Sequence, residues 1–337
     1  MKDWLRVFRA QTAPATLLLV LAPYLAGNYD PLVAVLLALI SFPLHYFSFG
    51  HNSLLDRAMG YDLKDPHKKH HPLVSGRIKL STAHNVIHNG LCIVGLACGL
   101  ITLLVSPVPE LSLFFLSLAV VFGHAYNDGL SKECIFGFVH ISAYLTCMSL
   151  WAWYLSHVEL GLTGLLLAIA VLMRILFQIG FSGHLKDMDK RERSNILRLM
   201  GSDILTVRYR VFKVISPLTR LVFGYIYHVL YSMVLILLLL STGVGVVELV
   251  ITLPVLIVLL LLSARSAISM MPRDAVVWDR DRDLLLMSKA EVYGIFAIVV
   301  ALSPLIGYLL SAIMMLGSIG YFVLMNKLLW ETPYPKV

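Results

Sequence analysis

Residues 160–187 read LGLTGLLLAIAVLMRILFQIGFSGHLKD. An apolar run of about 20 residues can cross the hydrocarbon of a bilayer as one helix, rising about 1.5 Å per residue. Arg174 lies inside the run, and the run stops abruptly at the polar group His184, Lys186 and Asp187. The stretch therefore predicts a membrane span that carries a charge within it and a polar cluster at its mouth. Similar runs recur at 14–28, 31–51, 84–105, 110–126, 134–157, 219–241, 244–263 and 290–310, which with 160–182 gives nine predicted spans. The apolar pattern continues from Ser311 to Trp330, so Pro304 and Gly307 either kink one long helix or precede a tenth crossing.

Composition agrees with this reading. Of the 337 residues, 58% are hydrophobic and 14% charged, against roughly 45–50% and 25% in soluble domains. Disorder, collagen and a disulfide scaffold are excluded on the same grounds, and transmembrane β-strands would be shorter and alternating. Cys92, Cys98, Cys134 and Cys147 lie within or beside apolar runs with no close pairing, so they read as small core residues. The basic start and Leu-rich run of residues 1–27 resemble a signal peptide, but the many similar segments that follow favour a retained first helix.

The net charge of +7 does not imply nucleic acid, because its distribution has another cause. Residues 1–13, 51–83, 127–135, 182–220 and 264–290 hold 24 of the 27 Lys and Arg residues, and all fall on one face if the N-terminus is inside. The opposite loops, near Asn28, Ser106, His157 and Thr242, hold none. This is the positive-inside asymmetry of a multi-pass protein, with the N-terminus and the two long polar loops at the cytoplasmic side. The expectation is an all-α integral membrane protein in a single domain over 1–337. It is a bundle of nine or ten helices, with two four-helix halves around a central cavity capped by the loops 51–83 and 182–218.

Those loops carry the chemistry. In the first, Asn52 and Asp56 are spaced i and i+4 and share a helical face. Gly60 can then end the helix and let Asp62 or Asp65 fold back toward the same point. Hard oxygens of this kind suit Mg²⁺, which is commonly held by one or two carboxylates plus phosphate and water. The plainer alternative is a set of solvated acids paired with Arg57, Lys64, Lys68 and Lys69. In the second loop, His184 and Asp187 share a helical face with Lys186 adjacent, which offers a carboxylate for a second ion; a topogenic or headgroup-binding charge cluster is the alternative.

Arg174, Gln178 and Ser182 follow i, i+4, i+8 spacing and form a stripe leading toward His184 and Asp187. A charge buried in a span usually faces a cavity, so Arg174 and Gln178 are candidate substrate contacts. His45 on the second span reads better as an interhelical hydrogen bond than as a catalytic group. Tyr225, His228 and Tyr231 read first as core. His67, His70 and His71 lack neighbouring Cys ligands, so a headgroup-level loop is preferred to zinc.

Taken together, these motifs resemble the UbiA superfamily of intramembrane prenyltransferases over nearly the whole chain. Asn52, Asp56, Gly60 and Asp62 resemble the first motif of its menaquinone-type branch. His71-Pro-Leu-Val-Ser-Gly-Arg77-Ile is similar to a segment of the hydroxybenzoate-type branch. Tyr126-Asn127 with Ser131-Lys132 resembles the stretch after the fourth helix, and Lys186-Asp187 running on to Gly201 resembles the second Asp-rich motif. The second motif departs from the pattern: it is shorter, His184 stands where Asn or Asp is usual, and Arg191 stands where an Asp is expected.

The resemblance implies Mg²⁺-dependent transfer of a prenyl group from a prenyl diphosphate, through an allylic cation, to an aromatic quinone precursor or related lipid. The implied metal ligands are Asn52, Asp56, Asp62, Asp187 and Asp189, with Arg77, Lys132 and Lys186 on phosphate. Two alternatives stay open: a membrane terpene cyclase of the same superfamily, and a cation or lipid transporter lined by Asp56, Arg174 and Asp187.

Overall fold

In the computed structural model, the described residues are 1–63, 65, 68–127, 134–188, 195–207 and 209–331. Among them, eight helices are long and apolar enough to cross a membrane. They are α3 (Pro31–Ala58), α4 (Leu80–Val105), α5 (Pro109–Asn127), α7 (Gly161–Lys186), α8 (Pro217–Ser241), α9 (Val246–Ser269), α10 (Arg280–Ile306) and α11 (Tyr308–Trp330). Among the shorter helices are α1 (Lys2–Val7), α2 (Ala13–Leu25) and α6 (Phe138–Trp153). Large side chains such as Leu96, Leu104 and Val246 are exposed on the span surfaces, an arrangement that hydrocarbon tolerates and water does not. The protein is an integral, multi-pass membrane protein.

Local signals set the helix ends. Asp30 caps α3 by accepting from Leu32 N–H at 2.7 Å, with Pro31 in the first turn. Asp279 caps α10, and Asp281 and Asp283 in its first turn complement the helix dipole. Gly307, at φ +94°, breaks the chain after α10, so 308–330 forms a helix of its own instead of continuing a kinked one. Several boundaries differ from the sequence reading, two of them where the polar residues lie. Helix α3 runs two turns past residue 51 and carries Asn52 and Asp56, and α10 starts at Arg280, ten residues early, because its first turns are polar but well capped.

The chain forms two compact units. The first is Met1–Leu130, Cys147–Leu160 and Ala312–Val337; the second is Ser131–Thr146 and Gly161–Ser311. In the first, Val7, Leu54, Leu73, Ile78, Ala83 and Ile87 form a core that joins the N-terminal segment and the first polar loop to α3 and α4. In the second, Phe177, Phe181, Leu185, Met188, Leu197, Ile215 and Met270 form the core beneath the second loop.

The second loop contains an element that a purely helical reading did not include. Strands β1 (Asp203–Val207), β2 (Arg210–Val214) and β3 (Val276–Val277) make a small antiparallel sheet, with Asp203 opposite Val214 and Lys213 opposite Val276. Lys213 leaves the sheet to bind Asp283 on α10 at 2.5 Å, and Trp278 Nε1 donates to the same oxygen. Both Lys213 and Asp283 side chains are largely buried.

Candidate functional site

The polar residues that the sequence singles out fall into two clusters, one in each unit. In the first unit, α3 ends at Ala58 and Gly60 takes φ +80°, a conformation that favours glycine. The chain turns back there, and Asp62 N–H donates to the Asp56 carbonyl at 3.2 Å. Asp62 is buried; one carboxylate oxygen meets Lys68 Nζ at 3.5 Å, while Oδ2 is buried with no hydrogen-bond partner among the described residues. A buried acceptor without a donor is costly and calls for an explanation.

Asn52 is fixed by two neighbours. Its amide nitrogen donates to Asn127 at 2.9 Å, and its oxygen accepts from Arg9 Nη2 at 3.2 Å. Arg9 is a residue the sequence reading counted only as topogenic. It stands at φ +48° just before α2, with its guanidinium over the Phe49 ring. His45, buried on α3, bonds to Thr16, to Thr12 and to the Arg9 carbonyl, so it holds the N-terminal segment in place, the interhelical role expected for it.

Arg77 spans the loop: its Nη2 donates to the His70 carbonyl at 2.6 Å and its Nη1 meets Asp3 at 3.3 Å. Burial pushes the His71 imidazole down to about 3, with Lys68, Arg9 and Arg77 adding to the effect. It is neutral at physiological pH, and its buried Nδ1 has no hydrogen-bond partner among the described residues. Lys132 lies outside the described residues.

In the second unit, α7 switches from α to π geometry over Leu176–Gly183. The π turn holds one more residue, so the predicted Arg174–Gln178–Ser182 stripe does not run straight on to His184 and Asp187. Ser182 instead lines a cavity of about 10 Å³, room for roughly one water, with Lys186, Asp283 and Arg280. His184 faces Phe138 at 5.7 Å between ring centroids, its Nδ1 accepts from Ile196 N–H at 3.1 Å, and its carbonyl accepts from Asn195. It therefore anchors the second loop, which accounts for a histidine at this position. Asp187 follows the last helical turn, its N–H bonded to Gly183. Asp189 lies outside the described residues.

Sequence reasoning missed two residues here. The Nε, Nη1 and Nη2 atoms of Arg280 are all buried with no hydrogen-bond partner among the described residues. Deeper in the span, Glu291 on α10 lies beside Gln178 and in electrostatic range of Arg174. An acid 11 positions into a helix that starts with four charged residues is easily taken for part of that polar start. Gly294 one turn on leaves the space that the Arg174 guanidinium occupies: a Cβ there would sit 2.7 Å from its Cζ.

Among the described residues, no three His, Cys, Asp or Glu side chains gather into a group able to hold a metal ion.

These features define a helical membrane protein with two acidic, basic-flanked loops set at the ends of spans. The model of the UbiA prenyltransferase family matches residues 12–288, and the chain belongs to that family. Prenyl transfer is the chemistry of the class. No curated protein matches the sequence. A UbiA homolog from Archaeoglobus fulgidus, bound to DMAPP and Mg²⁺, superposes with a TM-score of 0.62 at 15% identity, covering 91% of this chain and 99% of that one. An apo UbiA homolog from Aeropyrum pernix K1 gives 0.60 at 16% identity, covering 87% and 97%. A digeranylgeranylglyceryl phosphate synthase gives 0.54 at 13% identity, covering 90% and 98%. At these identities the likeness concerns the fold.

Proposed function

We propose that this chain transfers the prenyl group of a prenyl diphosphate, taken up at the cytoplasmic side, to an aromatic quinone precursor or related lipid. The observation that carries the reading is the Asp62 carboxylate: buried, folded back on the end of α3, paired with Lys68 through one oxygen, and left with the other oxygen without a hydrogen-bond partner among the described residues. Relatives of this fold bind DMAPP or GPP together with Mg²⁺, which supports the same donor class here.

The donor set suits Mg²⁺. Asn52, Asp56, Asp62, Asp187 and Asp189 offer hard oxygens, and an ion that takes only one or two protein carboxylates beside substrate phosphates does not need a three-acid cage. When bound, Mg²⁺ neutralises the diphosphate and stabilises its departure. The chain's own residues do the rest. Arg77, Lys132, Lys186 and Arg280 hold phosphate oxygens, His184 positions the loop that carries Lys186 and Asp187, and the apolar span faces take the tail and keep water from the allylic cation. The C1–O bond breaks with its electron pair leaving on diphosphate; the acceptor then bonds to C1 and gives up a proton.

Diphosphate release and prenylated product are measured in detergent with DMAPP, geranyl and longer donors. Activity should vanish on chelation and return with Mg²⁺, and Asp62→Asn should lower kcat/KM about 100-fold or more, the scale of losing one preorganised charge. Normal turnover in an Asp56→Ala, Asp187→Ala double variant rejects the assignment.

A further inference from the structure

Glu291 on α10 is an acid set inside a membrane span, where an ionisable group is expensive and usually serves a substrate or an ion. Its carboxylate hydrogen-bonds to Gln178 on α7 and lies within electrostatic range of Arg174. Arg174 is 1% exposed, occupies the space that Gly294 leaves, and hydrogen-bonds to Tyr227, while His228 stands within electrostatic range of it. Tyr231 closes the group by donating to the Gly294 carbonyl at 2.8 Å. All of these residues belong to the second unit. Arg174 stands just before the π stretch of α7, and Tyr227 and His228 just after that of α8 (Arg220–Ile226). Such stretches in a span commonly mark a functional position.

Two observations separate Glu291 from a counter-ion that only compensates Arg174. The pair is not closed: Arg174 Nε and Nη1 have no hydrogen-bond partner among the described residues, whereas an acid placed only to offset a buried guanidinium would saturate it. The acid also faces open space. No residue of α7 from Val171 to Lys186 is exposed, nor any of α10 from Ala290 to Ser303, yet Gln178 and Glu291 are both partly exposed. What they meet therefore lies inside the protein and not in lipid. Ser182 and Lys186 of α7 and Arg280 and Met287 of α10 line the small cavity at the loop end. Gln178 precedes Ser182 by four residues and Glu291 follows Met287 by four, so both lie about one helical turn, roughly 5–6 Å, deeper than that cavity.

The geometry points to Glu291 as the residue that receives the acceptor and takes its proton, with Gln178 holding the carboxylate in place. This assignment rests on the prenyl-transfer reading. A donor diphosphate held by Lys186 and Arg280 directs C1 inward, and an acceptor in contact with C1 reaches the level of Gln178 and Glu291. The groups on offer there set the acceptor's class. Arg174 is sealed against Gly294, which leaves a carboxylate that only accepts and an amide that donates or accepts, so the matching group is an aromatic hydroxyl. Glu291 accepts the hydroxyl proton as a ring carbon of the acceptor bonds to C1 and the C1–O electron pair leaves on diphosphate. That ring carbon then loses its hydrogen to diphosphate, and the oxygen recovers its proton from Glu291, which restores both the ring and the carboxylate.

The full chain in detergent is assayed with geranyl diphosphate, Mg²⁺ and 1,4-dihydroxynaphthalene, and donor-side binding is read separately as the rise in thermal unfolding midpoint with Mg²⁺ and inorganic diphosphate. Glu291→Gln should lower kcat for geranylated product about 100-fold or more, the scale of a lost general base, while the donor KM and the diphosphate response stay at their wild-type values. Glu291→Asp, which keeps the carboxylate, should recover about tenfold of that loss; if the Gln variant does not fold, the Asp variant carries the test with a fall of about tenfold from wild type. Wild-type kcat in Glu291→Gln makes the acid dispensable and overturns the proposal. A parallel fall in turnover and in the diphosphate response makes it structural and overturns the proposal as well. Diphosphate release by the wild type without geranylated product overturns the hydroxyl class alone, whereas no diphosphate release at all overturns the prenyl-transfer reading itself.

Discussion

The Lys213–Asp283 pair pins the β1–β2 hairpin to the first turn of α10, close to Arg280, and its removal should be felt there first. The two side chains meet at 2.5 Å, 4% and 13% exposed, with Trp278 as the additional donor. Burial pushes Lys213 below its ordinary value even though Asp283 pulls it the other way, so desolvation outweighs attraction at the lysine. Breaking such a pair from one side typically costs 3–5 kcal/mol, whereas apolar replacement of both partners is often neutral or better. Lys213→Met leaves Asp283 with Trp278 alone and should destabilise the hairpin by about 3 kcal/mol, while Lys213→Met with Asp283→Leu should recover most of that loss. At about 1.4 kcal/mol per tenfold, 3 kcal/mol is a roughly 100-fold loss of protection. Amide hydrogen exchange over residues 203–214 reads it directly. Equal loss of protection in the single and double variants would refute the reasoning, since the lysine would then matter for its packing and not for the charge it compensates.

Gly294→Ala places a methyl 2.7 Å from the Arg174 guanidinium. Overpacking costs about 1–3 kcal/mol and the helix gains up to about 1, so a net loss of about 1–2 kcal/mol is expected in thermal unfolding, and Arg174→Ala in the same background should remove the added penalty. His71 is held neutral, its folded value about 3 against 6.5 unfolded. Between these values the unfolded loop binds the extra proton, so the stability contribution is complete above pH 6.5 and is lost as pH falls toward 3, by at most about 1.4 kcal/mol per unit. Exchange of loop amides near Leu73 and Ile78 should accelerate over that window, and His71→Phe should abolish the dependence.

How much of this was legible in the sequence varies with the range of the interaction. The spans, the capped start of α3 and the turn at Gly60 are local: each follows from hydrophobic length, a side chain one turn away, or one residue's tolerance of positive φ. The Asn52–Asp56 spacing and the Lys186–Asp187 pair are local as well, and so could be matched to a family. The β-hairpin was within reach, since Asp203–Val207 and Arg210–Val214 are rich in β-branched residues, but it sits in a charged loop that reads as solvated. Arg9 was visible only as a positive charge, because its partner Asn52 lies 43 residues away.

Sequence alone therefore established a membrane bundle, its basic face, and which acids sit at the ends of spans, because length, hydropathy and helical period act over a few turns. Only the tertiary structure decided that His184 anchors a loop, that Asp62 keeps an unsatisfied oxygen, and that Arg174 shares a cluster with Glu291 and His228. Those facts depend on which distant side chains exclude water from one another. The π turns of α7 and α8 belong with them: a single extra residue per turn redirects a stripe that α-helical spacing had pointed elsewhere.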